Sequence, residues 1–289
     1  MRYNLLKQII FFIFLIPVTV SGICQLPSLT AKVVDQKTKQ PIIGVIVLNL
    51  SNPKYVTYTD EDGIFSLMVA KNDSLKISCI GYKESIVSNS ANLTSTNIEL
   101  TPDFILLNEV VVNCSLKENI SDKEESFRQG GSKGSILLVF IPNVDSSKSK
   151  IITKLNYHLG EIYRENEKIN KGVVRVRLYS STDTAIFPKS DLLHQSIIET
   201  LALRYRQTLI VDISKLKISF PANGVFIGLE WLGEKNNSNQ INLNPAFIAK
   251  KTKVDPFNFI SFYGKPFVHI GKRLNAYYTT MFEIEVEEY

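Results

Sequence analysis

The 289-residue sequence predicts an all-β protein in which two β-sandwich domains follow a signal peptide. From about residue 28, short runs with apolar residues at every second position recur along the chain, and turn-forming residues separate them. Only one segment would also suit a helix. The polar, glycine-ended stretch 114–134 has the composition of a linker. We therefore predict domains at 28–113 and 135–289.

The N-terminal residues predict export. Arg2 and Lys7 precede an apolar block from Ile9 to Val20, and small residues follow, which is the layout of a secretory signal peptide. The block is shorter than the ~20 residues that a membrane-spanning helix needs. We therefore predict a signal peptide at 1–24 and no retained membrane anchor.

The sequence leaves open how the signal peptide is processed. Cleavage can follow Gly22 or Cys24, or Cys24 can be the lipid-modified first residue of a lipoprotein. Ile23 departs from the small residue that usually precedes a lipidated cysteine. Contact with a membrane is therefore expected only through this lipidation.

The charge balance argues against nucleic acid as a partner. The formal net charge is +5, and removal of Arg2 and Lys7 leaves 31 basic against 28 acidic residues, or +3. Nucleic-acid-binding proteins concentrate a larger basic excess in one patch or stripe, and the sequence has no long stripe of basic residues interleaved with aromatic ones.

The first domain is organised around a predicted hairpin at 55–82. Asp60-Glu61-Asp62-Gly63 lies between two alternating segments, and Asp-Gly supplies the positive φ of a tight turn. The same residues could open a calcium loop. Such a loop needs further oxygen ligands downstream, but here a strand follows at once. We therefore predict a turn without calcium.

The other apolar runs of this domain complete a predicted sandwich of about seven strands. They lie at 29–35, 43–50, 75–80, 97–100 and 106–112. Cys79 alternates with Leu75 and Ile77, so we expect a small core side chain. A disulfide from Cys79 to Cys114 is the alternative, and it depends on a Cα separation that the sequence does not give.

Three motifs in this domain carry a family resemblance. They are V-V-D-x-x-T-x-x-P-I-x-G-V at 33–45, T-D-E-D-G-I-F at 59–65 and I-G-Y-K at 80–83. In order and spacing they resemble the carboxypeptidase-regulatory-like domain, a transthyretin-like (prealbumin-like) Greek-key sandwich common in envelope proteins of Bacteroidetes. The resemblance implies a location in the periplasm or at the outer membrane.

In that family the domain often precedes a TonB-dependent receptor. The segment Leu107 to Val112 is similar to the lead into the receptor plug. The residues that follow are far too few for a plug and a large membrane barrel, whose strands each need ~10 residues. We therefore do not expect transport by this chain alone.

The second domain repeats the two-residue period of half-buried strands. Its predicted strands are 136–141, 151–159, 174–179, 209–213, 225–232, 259–263 and 282–287. In strand 151–159 we expect Ile151, Leu155, Tyr157 and Leu159 to share the core face. Residues 191–203 are ambiguous, because their apolar positions also suit a short helix.

A second, weaker resemblance rests on R-V-R-L-Y at 175–179, V-D-I-S at 211–214 and F-I-G-L-E-W-L at 226–232. These runs are similar to an uncharacterised β-sandwich domain that follows the regulatory-like domain in some short exported Bacteroidetes proteins. We expect a jelly-roll-like sandwich. The resemblance supplies no catalytic residues.

A zinc peptidase site is disfavoured. His158-Leu159-Gly160-Glu161 has the form H-x-x-E, and His269 could be a distant third ligand. On a continued strand, however, Glu161 would point away from His158, because an offset of three residues is odd. Zinc needs three converging ligands. We predict no catalytic, metal or cofactor residues.

Three residues are candidates for ligand contact. Arg175 and Arg177 alternate with apolar residues and are expected to form a small exposed basic pair that could meet acidic glycans. Trp231 could stack on a sugar, but it shares a strand face with core residues, which favours burial.

The first functional hypothesis is a non-enzymatic envelope binding or assembly protein. It would bind an envelope protein through an edge strand or loop. The second is a carbohydrate-binding module for envelope or dietary polysaccharide. A zinc carboxypeptidase-like hydrolase is third.

Overall fold

The computed structural model describes residues 28–88, 97–103, 113–118, 127–129, 133–160, 171–202, 207–235, 246–271 and 277–289. Apart from one 3-10 turn at Ser214–Leu216, the regular structure of these residues is β-strand, which confirms the predicted all-β class. None of their segments is a helix with the length and hydropathy needed to cross a bilayer. The predicted signal peptide, Cys24 and the predicted strand 106–112 lie outside the described residues.

The first domain is a sandwich of seven described strands, as predicted. These strands are β1 (Ser28–Asp35), β2 (Ile46–Asn49), β3 (Val56–Tyr58), β4 (Ile64–Met68), β5 (Ser74–Ser78), β6 (Ser85–Ser88) and β7 (Ile98–Leu100). One sheet has the order β4-β1-β7 and the other β3-β2-β5-β6. Strand β1 is antiparallel to β4 and parallel to β7. Val33 of the first sheet and Val47, Leu75 and Ile77 of the second meet in one buried core.

The turn between β3 and β4 has the predicted positive φ, but the predicted hairpin is wrong, because β3 pairs with β2 in one sheet and β4 pairs with β1 in the other. Gly63 has φ +72°, and a Cβ there would lie 2.5 Å from the Val33 carbonyl oxygen. The Asp60 carboxylate accepts hydrogen bonds from the backbone amides of Asp62 at 3.0 Å and Ile64 at 2.8 Å. This carboxylate therefore closes the turn.

The aspartate of the V-V-D motif closes the loop after β1. Buried Asp35 accepts hydrogen bonds from the backbone amides of Lys37 and Thr38, both at 2.7 Å, and from the Tyr82 hydroxyl at 3.0 Å. Burial raises the pKa of Asp35, but these hydrogen bonds outweigh burial and leave the pKa below its ordinary value. Two of the motifs, at 33–45 and 80–83, thus meet in one contact.

Replacing Asp35 with alanine is expected to cost about 2 kcal/mol of unfolding free energy at neutral pH, because two backbone amides lose a charged acceptor. Since the folded pKa lies below the unfolded one, this contribution is complete above the ordinary aspartate pKa of 3.8 and is lost as pH falls through the folded value. Urea unfolding at neutral and acidic pH measures it. Exposed Asp62→Ala is the control, and an Asp35 effect that stays constant down to pH ~2 would contradict this account.

The second domain contains two larger antiparallel sheets. Its strands are β8 (Asn113–Glu118), β9 (Phe127–Gln129), β10 (Ser135–Ile141), β11 (Lys150–Gly160), β12 (Lys171–Ser181), β13 (Pro188–Asp191), β14 (Ile198–Ala202), β15 (Gln207–Asp212), β16 (Ile218–Ser219), β17 (Val225–Lys235), β18 (Ala246–Thr252), β19 (Asn258–Phe262), β20 (Val268–Ile270), β21 (Tyr277–Thr280) and β22 (Phe282–Glu288).

Two sheets of this domain enclose its core. The seven-stranded sheet has the order β13-β12-β17-β10-β19-β20, with β14 also on β12. The eight-stranded sheet has the order β21-β18-β11-β15-β8, with β16 and β22 on β11 and β9 on β18. The largest buried cluster lies between them and includes Leu178, Leu229 and Trp231 from one sheet and Tyr157 and Val211 from the other.

The segment predicted as a linker, 114–134, contributes strands to the second domain. Strand β8 pairs with the full length of β15, and β9 pairs with β18. The polar composition was misleading because these strands belong to sheet edges. Cys114 lies in β8, whereas Cys79 packs against the core of the first domain as a free thiol.

The structure resolves one open assignment in the second domain and corrects one expectation. Residues 191–202, which the sequence left ambiguous, form the end of β13, a connection and β14, with no helix. The core residue near the start of β11 is Ile152, not Ile151, because the register with β22 shifts between Ile152 and Lys154. A bulge of this kind exchanges the two faces of a strand.

Candidate functional site at the domain interface

The two domains meet on the outer face of the seven-stranded sheet. In β12 and β17, Val174, Val176, Leu229 and Trp231 fill the core. Their neighbours on the same strands must point to the opposite face, since side chains alternate. This alternation places Arg175, Arg177 and Glu230 on the outer face, where Arg175 and Glu230 are directly opposite in register.

These side chains form a buried ion-pair network. Glu230 is 0% exposed and Arg175 is 1% exposed. The Glu230 Oε2 atom lies 2.7 Å from Arg177 Nη2 and 3.2 Å from Arg175 Nη1. Arg177 Nη1 also donates to Asp191 Oδ2 at 2.9 Å, at the end of β13. Two cations and two anions therefore balance one another below the surface.

The first domain completes the network with two groups. The Tyr58 hydroxyl, at the end of β3, donates a hydrogen bond to Glu230 Oε1. Arg175 Nη2 donates to the backbone carbonyl of Gly44. Each bond crosses from one sandwich to the other, so Glu230 and Arg175 both bind a group of the neighbouring domain.

The glycine at position 44 is required by this contact. Gly44 has φ +72°, a conformation that residues with a Cβ rarely adopt. A Cβ built there would overlap the Arg175 guanidinium and would lie 3.0 Å from a Leu232 methyl group. The G of the motif P-I-x-G-V therefore allows the backbone to approach the second domain closely.

Apolar side chains surround the network and exclude water. Tyr58, Val173 and Leu232 are buried in one cluster, against which Ile43 and Ile46 pack. The Tyr58 ring also stacks on Tyr263, with ring centroids 5.1 Å apart and planes inclined by 29°. Since both domains supply members of this cluster, it is a small hydrophobic core of the interface. Electrostatic interactions are stronger in such a dry environment than in water.

The protonation states follow from burial and from the neighbouring charges. Burial raises the pKa of Glu230, but the guanidiniums of Arg177 and Arg175 and the Tyr58 hydroxyl outweigh it, so the net pKa lies below the ordinary value. Burial and the Glu230 charge raise the pKa of Tyr58 well above its ordinary value, so the phenol remains a donor. Arg177 is buried too, but Glu230 raises its pKa above the ordinary value and keeps it charged.

At the rim, the Asp191 side chain is still 20% exposed. Burial raises the pKa of Asp191 above its ordinary value, although Arg177 opposes this shift.

This arrangement is suited to holding two domains together. Glu230 is ionised, fully buried and bound by three donors, so it has no free oxygen with which to act as an acid or base toward a substrate. Removing one partner of such a network leaves an uncompensated buried charge. The geometry therefore favours a fixed arrangement of the two sandwiches.

The three residues predicted to contact a ligand are all buried. The prediction that Arg175 and Arg177 are exposed was wrong, because β12 is a central strand whose outer face is covered by the first domain. Trp231 is 2% exposed and belongs to the core, as the alternation favoured. A direct ligand contact by these three residues stays a prediction.

Sequence reasoning missed Gly44, Tyr58, Asp191 and Glu230. One signal was present, because Glu230 is the only charged residue in the apolar run F-I-G-L-E-W-L. A lone charge in a central strand is rarely buried without a partner of opposite charge. The separate arginines of R-V-R-L-Y supply that partner.

The structure separates the histidines of the zinc hypothesis. His158 lies in β11, where Nδ1 is 2.8 Å from Thr208 Oγ1 and Nε2 is 3.5 Å from Glu283 Oε2. His269 lies in β20 of the other sheet and pairs with Asp255 at 3.0 Å. Glu161 is outside the described residues, and the described part of the chain has no group of three ligands that could hold a metal ion.

The architecture is that of two β-sandwiches joined through a buried charged interface. Residues 29–112 match the family model described as CarboxypepD_reg-like domain, which confirms the resemblance of the first sandwich drawn from its motifs. This class of domain is a non-catalytic β domain. The match covers less than a third of the chain, and a comparison with curated proteins gives no match. An origin in Bacteroidetes and the relationship of the second sandwich stay predictions.

Proposed function

We propose that this protein is an exported, non-catalytic binding or assembly component of the bacterial cell envelope. The first sandwich supports the second one, and the second carries the recognition surface. The observation that carries this proposal is the buried network in which Tyr58 and Gly44 of the first domain hold Glu230 and Arg175 of the second. The interface groups with shifted pKa values, Tyr58, Arg177 and Glu230, thus serve to join the two domains.

The support role follows from the energetics of the interface. Each domain buries polar groups that only the other domain satisfies, so separation would expose or orphan them at a cost of several kcal/mol. Two rigidly joined sandwiches present their loops and edges in a fixed geometry. Fixed geometry lowers the entropy lost when a partner binds.

The test is a pull-down from a crosslinked envelope fraction of the host, with the mature full-length chain as bait and the urea-unfolded chain as control. We expect the folded bait to recover one envelope protein, which should then bind the purified chain at a defined stoichiometry. Recovery of polysaccharide without protein would contradict the proposal and support the carbohydrate-binding alternative. Release of amino acids from peptide substrates by the purified chain would support the hydrolase.

A further inference from the structure

The first sandwich has an open sheet edge at β4. In the sheet of order β4-β1-β7, β4 pairs with β1 on one side, and no described strand pairs with it on the other. Ile64, Ser66 and Met68 form the exposed outer face of this strand, and none of its residues is charged. The two apolar side chains on this face, Ile64 and Met68, are 38% and 45% exposed. An exposed edge strand without charges is able to pair with another strand.

The backbone of β4 has hydrogen-bonding groups available for such a strand. The Gly63 carbonyl accepts a hydrogen bond from β1 at 2.8 Å, and the direction of the backbone groups alternates along an antiparallel strand. The next residue therefore points the other way, where the Ile64 amide donates to the Asp60 carboxylate at 2.8 Å. By the same alternation, the amides and carbonyls of Ser66 and Met68 face the open edge, where no described backbone group binds them.

A second β4 strand fits this edge in an antiparallel register. With a symmetry axis between the Leu67 residues of two chains, Ser66 of each chain lies opposite Met68 of the other. Residues opposed in this way, with their backbone groups facing each other, exchange two hydrogen bonds, so the two pairs form about four. Opposite residues also point to the same face of a sheet. Buried Leu67 therefore stays on the core side, and Ser66 and Met68 stay on the outer side.

The same register covers the exposed apolar side chains of β4. Each Met68 lies beside the small Ser66 of the other chain and diagonal to the other Met68, a separation that long side chains bridge. The Ser66 hydroxyl is bound within its own sheet, 2.8 Å from Ser28 Oγ, so the methionine covers no unpaired hydroxyl. Ile64, at the start of β4, comes to lie beside the end of the second strand.

Charges at the two ends of β4 favour the antiparallel arrangement. Exposed Asp62 lies in the turn before the strand, and exposed Lys71 lies just after it. Antiparallel pairing brings Lys71 of each chain to the end of the sheet where Asp62 of the other chain lies. Parallel pairing would instead place equal charges side by side. The edge is therefore complementary to itself in charge as well as in register.

Strand β22 shows what a protected edge of this protein looks like. Among the described strands it pairs with β11, and its exposed residues include Glu283, Glu285 and Glu287. Two copies of this strand would bring carboxylates together, which disfavours pairing of β22 with itself. The uncharged β4 lacks this protection.

We propose that β4 binds the β4 strand of a second copy of this chain, so that the protein forms a symmetric dimer through one continuous sheet. This sheet has six strands, three from each chain. A second copy fits better than an unrelated strand, because one register pairs the backbone, apolar and charged groups of both partners. The contact is small, so we expect a dissociation constant of about 10–100 µM. The inference goes beyond the proposed function, because a dimer presents two recognition surfaces to a repetitive partner.

Sedimentation equilibrium of the mature full-length chain over about 1–300 µM measures this association. We expect a monomer–dimer equilibrium without larger species, because each chain has one β4 strand and the dimer uses both. Ser66→Pro should weaken dimerisation about tenfold or more, since it removes two of the interchain hydrogen bonds. Proline is tolerated in an edge strand where the amide faces outward. Ser66→Thr keeps the amide and is the matched control, with a change of less than about twofold.

A charge exchange tests the register independently of the proline variant. Lys71→Glu should weaken dimerisation about fivefold at low salt, because it places two carboxylates at each end of the shared sheet. Adding Asp62→Lys to the same chain should restore the dissociation constant to within about twofold, because opposite charges are adjacent again. Circular dichroism and urea unfolding verify that each variant is folded.

Three outcomes would overturn the inference. They are a chain that stays monomeric over the whole concentration range, a folded Ser66→Pro variant that dimerises as well as the natural chain, and no recovery on charge exchange. The envelope pull-down separates this inference from the proposed function. A monomeric Ser66→Pro chain that recovers the same envelope protein as the natural chain would show that partner binding does not depend on the dimer.

Discussion

Replacing Glu230 with glutamine is expected to lower the free energy of unfolding by about 3–5 kcal/mol, the cost of breaking a buried ion pair from one side. The change keeps the shape of the side chain but, among the described residues, leaves the guanidiniums of Arg175 and Arg177 with one carboxylate, that of Asp191. The Tyr58 hydroxyl also loses its charged acceptor. Equilibrium unfolding in urea, followed by circular dichroism, measures the loss.

The matched control is Glu285→Gln. Glu285 pairs with Lys154 at 2.6 Å on the exposed face of the other sheet. Exposed ion pairs contribute little, so this variant should lose less than about 1 kcal/mol. Equal losses of unfolding free energy in the two variants would show that burial and the domain contact do not increase the stability that the Glu230 network contributes.

Replacing Gly44 with alanine is expected to cost about 3 kcal/mol, because a positive φ and a steric overlap act together. The added methyl group meets the Arg175 guanidinium, so the first domain must move away from the sheet or Arg175 must leave Glu230. Urea unfolding again gives the size of the effect. Hydrogen exchange of the backbone amides around Tyr58 should also become faster.

Gly264→Ala separates the two causes. Gly264 has φ +68°, close to the +72° of Gly44, but a Cβ there would lie 3.8 Å from its nearest neighbour, an Ile46 methyl carbon. Its substitution therefore carries the backbone strain alone and should cost about 1 kcal/mol. Equal losses at the two positions would mean that contact with Arg175 does not matter.

Local patterns were sufficient to predict the strands and turns of the first sandwich, but not that the strands on either side of the Asp-Gly turn belong to different sheets. The Asp-Gly turn before β4, the alternation that buries Phe65 and Leu67, and the order of the motifs all depend on near neighbours in the chain. The same local reasoning predicted that Trp231 lies in the core. It did not identify β8 and β9, because polar edge strands resemble linkers in composition.

The interface could not be predicted in the same way. Alternation correctly placed Arg175 and Arg177 on the face opposite the core, but solvent was taken to cover that face. Whether another domain covers it depends on how two sandwiches pack, which no local period encodes. The buried Glu230 between Leu229 and Trp231 was the one available indication that this face is covered.

The most direct test of this account is a double-mutant cycle between Tyr58→Phe in the first domain and Glu230→Gln in the second. Because the two side chains share a hydrogen bond across the interface, we expect a coupling energy of about 1–3 kcal/mol from the unfolding free energies of the single and double variants. Effects that add to within about 0.5 kcal/mol would show that the two residues act independently, and would contradict a charged network that joins the domains.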